Sequence, residues 1–276
     1  SLHALNEQLD GNLWLAAGNP VTVVPELAAQ TNSSQVFVSK DFGTYGKQRD
    51  ERVREALARS GRELIEAGSP YAIDPGTLAT GSGRRYRVYT PFYRSWLSHG
   101  YPAAAPTVVP EWVTPPPSAR IDAIAELSTR QSEVELPDVG EVAAWRRWEW
   151  FKDNGLAQYS TNRNRPDLDG TSNLSAHLRW GEIHPRSLLA ELPPYLSTPD
   201  CEVGAETFRK EIAWREFYAE VWDANPTSTW DSLDPRFDRA LETNCRGQLR
   251  SLAIGPHGIS VCRCGDEAVA GDRVDA

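Results

Sequence analysis

The 276-residue chain contains no methionine and opens on Ser1. A protein translated in full begins with methionine and usually keeps others in its core, so this sequence is expected to be a piece of a longer protein. No run of about 18 apolar residues occurs, which excludes a membrane-spanning helix. The N-terminus lacks the basic region and apolar stretch of a secretory signal, so a cytoplasmic location and no membrane partner are expected. Cysteine is scarce, with only Cys201, Cys245, Cys262 and Cys264. That fits a reducing compartment and argues against a disulfide scaffold. Cys262 and Cys264 have no second pair at zinc spacing, so no metal site is expected. Basic residues are outnumbered, 29 against 38, for a net charge of −9. This speaks against a broadly basic nucleic-acid coat and leaves room for a local basic groove.

What is present divides into two halves, as the length allows. Residues 1–99 alternate short β-like runs with helical patterns. Ser1–Leu9 reads as the end of a helix, Leu13–Ala17 as a strand and Pro20–Gln30 as a helix with proline in its first turn. Gln35–Ser39 reads as a strand, Arg49–Ser60 as a charged amphipathic helix stopped at Gly61, and Arg62–Ala67 as the next strand. Strands alternating with helices predict a partial doubly wound parallel sheet, an α/β domain without its first βαβ turn. Residues 100–139, with Pro115-Pro116-Pro117, predict an extended linker. Residues 140–243 predict an all-α domain. Val142, Trp145, Trp148 and Phe151 suggest one aromatic face on a helix over Glu141–Asn154. Short helices are predicted at Leu174–Gly181 and Pro185–Leu192. The strongest helix signal is Glu206–Asp223. Phe208, Ile212, Phe217 and Val221 form one stripe there, and Trp214, Tyr218 and Trp222 an adjacent one at i, i+4.

Asp169-Gly170-Thr171-Ser172-Asn173-Leu174-Ser175 concentrates hydroxyls and backbone donors where a helix begins. Two readings are open on chemistry alone. Thr171, Ser172 or Ser175 caps the helix, or the turn cradles a phosphate.

The order of residues adds a resemblance. Tyr159, Arg163, Pro166, the Asp169–Ser175 run, His177-Leu178, Gly181-Glu182-Ile183 and Pro185-Arg186 closely resemble the photolyase/cryptochrome family, at the start of the flavin-binding domain of a class I cyclobutane pyrimidine dimer photolyase. Glu211-Ile212-Ala213-Trp214-Arg215-Glu216-Phe217-Tyr218 is a second matching signature. Upstream, Asp41-Phe42-Gly43 with Tyr45-Gly46 and Arg49-Asp50, then Gly68-Ser69-Pro70-Tyr71 and Thr90-Pro91-Phe92-Tyr93 with Trp96, resemble the family's antenna domain. The match covers about residues 1–243.

The resemblance implies that Tyr159, Thr171, Ser172, Asn173, Leu174 and Ser175 hold FAD, with hydroxyls and N–H groups on its phosphates. Asn173 stands where the family more often has arginine, so a cation near the pyrophosphate is lost and weaker flavin binding is expected. Arg163 matches a DNA-phosphate contact; without the family it reads as a solvated surface arginine. Glu211 and Trp214 match the pair that receives a flipped pyrimidine dimer in UV-damaged DNA, by edge hydrogen bonding and stacking. Trp214 would otherwise read as core. Arg215 and Tyr218 join the DNA-facing set. The implied reaction is light-driven electron transfer from reduced FAD that splits the dimer, in a protein expected to be monomeric. A deazaflavin or folate antenna pigment is implied in the N-terminal half, and the Asp41–Arg49 loop looks more like the deazaflavin type.

The sequence departs from the family after Thr243. Residues 244–276 lack helical periodicity and are expected to be a disordered, unrelated tail. The family's later flavin-site motifs are absent, so half of a flavin pocket is expected, with Trp214, Tyr218 and Trp222 uncovered. Two alternatives to a repair enzyme follow: an inactive remnant, and a cryptochrome-type flavin photoreceptor.

Overall fold

The computed structural model describes residues 1–240 apart from 107, 109 and 120–135. The expected tail and three of the cysteines lie outside the described residues, as does part of the expected linker. Ser1–Ile124 and Val139–Thr229 form one compact unit. The second unit, Ala125–Asp138 with Trp230–Ala276, contributes a 3₁₀ segment at Pro235–Ala240. There Asp234 accepts the Arg236 N–H at 3.0 Å.

The first half of the large unit runs α1 (Leu2–Gln8), α2 (Pro20–Gln30), β1 (Gln35–Val38), α3 (Thr44–Ala58), β2 (Glu63–Glu66) and α4 (Tyr89–His99). Pro20 occupies the first turn of α2, where its missing N–H costs nothing, and the Asn19 side chain accepts the Val21 N–H at 3.0 Å. β1 and β2 pair in parallel, with Gln35 opposite Glu63 and Phe37 opposite Ile65. Ala28, Val53 and Leu57 pack with Val36 and Leu64 into a small core between the sheet and α2 and α3.

Two expectations are corrected here. Leu13–Ala17 is no strand: among the described residues it joins no ladder, and the Leu15 N–H is spent on the Ala119 carbonyl at 2.8 Å. A β-like run becomes a strand only beside a paired edge. Helix α3 starts at Thr44, five residues before the expected Arg49. Its first turns are tied to Asp41, which accepts the Gly43 N–H at 2.9 Å. A Cβ at Gly46 would lie 2.0 Å from the Asp41 carboxyl, so only glycine lets the loop close so tightly.

The second half runs α5 (Glu141–Asn154), α6 (Tyr159–Asn162), α7 (Ser175–Trp180), α8 (Pro185–Glu191), α9 (Pro193–Leu196) and α10 (Glu202–Ala224). On α5 the buried stripe is Ala144, Trp148 and Phe151, while Val142 is exposed. Repeated three-residue steps lag behind the 3.6-residue turn, so four residues spaced this way cannot share one face. Phe208 of α10 packs against Trp148, Phe151 and Tyr159 at ring separations of 5.2, 5.2 and 5.7 Å. Gly204 lets α10 cross this layer: a Cβ there would lie 1.8 Å from the Leu156 carbonyl oxygen.

Segment 69–76 is held by side chains of the helical half. Glu216 of α10 accepts the N–H groups of Ala72 and Ile73 at 2.9 and 3.0 Å. Glu220, one turn on, accepts the Gly76 N–H at 2.6 Å and pairs with Arg85. Arg215 donates to the Pro70 carbonyl at 2.8 Å, Arg186 donates to the Ala72 carbonyl at 2.9 Å, and the His184 ring bonds the Ser69 carbonyl at 2.9 Å. Burial pushes the Glu216 carboxyl up to about 7, against the pull of the Ile73 and Ala72 N–H groups. Burial likewise pushes the His184 imidazole down.

Candidate active site

The α7 turn, α6 and one face of α10 line an open cavity of about 670 Å³. Tyr159, Ser172, Ser175 and Leu178 line it from the α6–α7 side. Glu211, Ile212, Arg215, Tyr218, Ala219 and Trp222 line it from α10, and Tyr71 and Arg179 close it. The α10 set repeats every three or four residues, which is one face of a helix. Arg215 and Arg179 supply cations, and Ser172 and Ser175 supply hydroxyls. Tyr159, Ile212 and Ala219 add apolar surface.

Tyr159 is buried edge-on against Phe151, with ring centroids 5.4 Å apart at 90°. That burial pushes its phenol up. Arg215 lies 4.7 Å above the Tyr71 ring while one terminal nitrogen holds the Pro70 carbonyl, so its plane is fixed. Glu211 pairs with Arg163, and about a third of each side chain remains exposed. Trp214 lies flat on Tyr89, with centroids 3.6 Å apart at 6°. Tyr89 is anchored by its hydroxyl, which donates to the Lys210 carbonyl at 2.9 Å. Tyr218 stacks on Trp214 at 5.5 Å and is exposed.

The turn before α7 is ordered by its own side chains. Asn173 has φ +52°, a left-handed conformation that asparagine tolerates. Its amide donates to Asp169 at 3.1 Å and its carbonyl accepts the Thr171 hydroxyl at 2.9 Å. No side chain caps α7: Leu174 is its N-cap residue. The Ser172 hydroxyl accepts the Leu174 N–H at a long 3.5 Å. The simple capping alternative therefore fails.

A family model described as DNA photolyase matches residues 1–111. The chain is 30% identical over 235 residues to the deoxyribodipyrimidine photo-lyase of Streptomyces griseus, covering 83% of this chain and 50% of that protein. It is 31% identical over 228 residues to an uncharacterized 31.6 kDa protein of a Synechococcus species, covering 78% and 79% of the two chains. The chain belongs to the DNA photolyase family. Its fold is that of a crystallised class III photolyase from Agrobacterium tumefaciens, with a TM-score of 0.81 at 24% identity, over 96% of this chain and 57% of that one. The chain spans about half the length of the photo-lyase relatives it matches. A photolyase fold agrees with the expected α/β half followed by a helical half.

Within this photolyase fold, the structure brings together Tyr159, Ser172, Ser175, Glu211, Arg215 and Tyr218 around one cavity. It does not bring Thr171 and Asn173 there: with Arg163 they line a neighbouring cavity of about 600 Å³. The Leu174 side chain is core, 1% exposed. Trp214 is absent from the lining of both cavities, because it sits on the α4-facing side of α10 against Tyr89. The sequence reading missed Tyr71, Arg179, Phe208, Ile212, Ala219 and Trp222 as lining residues. Ile212, Ala219 and Trp222 could have been found by extending the helical period from Glu211; Arg179 carried no signal.

Proposed function

We propose that the cavity beside Ser172 and Ser175 holds FAD, and that the chain serves light-driven splitting of cyclobutane pyrimidine dimers in UV-damaged DNA. The observation that supports this best is the convergence of two hydroxyls and two guanidinium groups with an aromatic and aliphatic wall on a cavity of about 670 Å³. Its size and lining suit a cofactor with an anionic middle and a flat ring. Ser172, Ser175 and Arg179 would hold the phosphates, and Tyr159 and Ile212 the apolar parts. Reduced FAD supplies light absorption and a transferable electron.

The chain's own residues have the remaining tasks. Tyr89 backs one face of Trp214, which keeps the indole rigid as a stacking platform. Glu211 would exchange its Arg163 partner for a pyrimidine edge, freeing Arg163 for a DNA phosphate. Arg215 and Tyr218 extend this DNA-facing set. A deazaflavin or folate antenna pigment belongs, on the same reading, with the Asp41–Arg49 loop, where Asp41 and Arg49 face each other at 3.7 Å and Tyr45 is exposed. Among the described residues no helix is long and apolar enough to cross a membrane. Monomeric action in the cytoplasm fits the reading.

A second reading, flavin binding without repair, is favoured by one observation: Glu211 is already satisfied by Arg163. Blue-light illumination of the chain with reduced FAD and a dimer-containing oligonucleotide separates the two. Repair that is lost in Trp214→Ala supports the first reading. Flavin binding with no repair supports the second.

A further inference from the structure

Arg147 of α5 grips the α7 turn from outside it. Its Nε donates to the Ser172 carbonyl at 3.0 Å, and one terminal nitrogen donates to the Thr171 carbonyl at 2.7 Å. The same nitrogen reaches one Asp169 oxygen at 2.6 Å, and the other terminal nitrogen reaches the second at 3.0 Å. The guanidinium also lies 4.0 Å from the Trp150 ring centroid, so its plane is fixed as well. Asp169 in turn holds the Asn173 amide at 3.1 Å.

In a trans peptide the N–H lies opposite the carbonyl. Drawing the carbonyls of Thr171 and Ser172 to Arg147 therefore turns the N–H groups of Ser172 and Asn173 the other way. Through Asp169, the same guanidinium supports the left-handed Asn173. We propose that Arg147 is the positioning residue of the anion cradle: it sets the Thr171–Asn173 backbone so that the N–H and hydroxyl of Ser172, on the wall of the cavity of about 670 Å³, serve a bound diphosphate. This rests on the flavin reading above. It also recasts Asn173, expected to hold FAD, as a brace of the turn.

The test compares the full-length chain with Arg147→Gln and Arg147→Lys. The Asn173 Cα and Cβ chemical shifts of the ligand-free protein report its left-handed conformation. Flavin fluorescence quenching gives affinities for FAD and for riboflavin, which lacks the diphosphate. Arg147→Gln is expected to move the Asn173 shifts and to weaken FAD about tenfold, with riboflavin changed less than about twofold. Arg147→Lys, which keeps the charge and loses the fork, is expected to fall between. Unchanged Asn173 shifts would overturn the brace whatever the flavin result. Equal losses for FAD and riboflavin would make Arg147 a plain support of the fold and overturn the positioning role. A wild-type chain that binds neither flavin would overturn the flavin reading and this role together, while the shifts still judge the brace.

Discussion

Two faces of α10 carry acidic residues and put them to opposite uses. On one, Glu216 and Glu220 are 3% and 2% exposed, and backbone N–H groups or Arg85 claim their oxygens. On the other, Glu211, Arg215 and Tyr218 line an open cavity, and Glu211 is held by Arg163 at a site about one third exposed. A rotation of roughly half a helical turn separates a carboxylate that fixes the chain from one that can change partners. A buried carboxylate must be satisfied by the protein itself, because losing its partners costs more than the pair gains. A half-exposed one can trade a weak ion pair for a ligand at small cost.

The contrast is broken most strongly by truncation on the buried face. Glu216→Ala orphans two buried N–H groups and opens a cavity, so chemical denaturation should show a loss of about 3–5 kcal/mol. Glu211→Ala should lose less than about 1 kcal/mol in the same assay.

The pH dependence sharpens the contrast next. The Glu216 carboxyl is raised from 4.5 to about 7 by burial. Its contribution to stability is therefore whole below about pH 4.5 and lost as pH climbs through about 7, for a total of about 3 kcal/mol. His184, whose pKa is lowered by burial, acts in the opposite sense, since its neutral form is the folded one and stability falls as the pH drops below its unfolded value. Denaturation of wild type and Glu216→Gln at pH 5 and pH 7.5 isolates the carboxylate. The stability difference between the two proteins should shift by about 2 kcal/mol across the interval, and a constant difference would contradict the assignment.

The smallest effect is expected at the open face. Arg163→Ala should change stability by less than about 0.5 kcal/mol, yet weaken damaged and undamaged DNA alike and flatten the salt dependence by about one unit. An unchanged salt slope would leave Arg163 as a partner of Glu211 only.

Much of this was legible in the sequence where local rules decide. The recurring aromatic residues placed α5 over Glu141–Asn154, and proline in a first turn placed α2. The β-branched Gln35–Ser39 run placed β1, which ends one residue earlier at Val38. What failed depended on distant partners. Leu13–Ala17 has strand-like residues but no neighbouring edge. The start of α3 is set by Asp41 and Gly46, which read as loop in isolation. The Ser172 and Ser175 side of the cavity was visible as a hydroxyl-rich turn. Trp214 was placed among the dimer contacts by family position, and its stack on Tyr89 joins residues 125 apart in the chain. Glu216 stood in the family signature without a structural role, and Glu220 gave no signal, because acidic residues in a helix usually face solvent. Their partners are backbone N–H groups, which every sequence has.

The most direct test is an absorption spectrum of the chain after incubation with FAD and desalting, beside that of a Ser172→Ala/Ser175→Ala double variant with the same thermal stability. Retained flavin bands in the wild type that fall several-fold in the variant would confirm the cavity between α7 and α10 as the flavin site. A colourless wild type, or equal retention by both proteins, would contradict it.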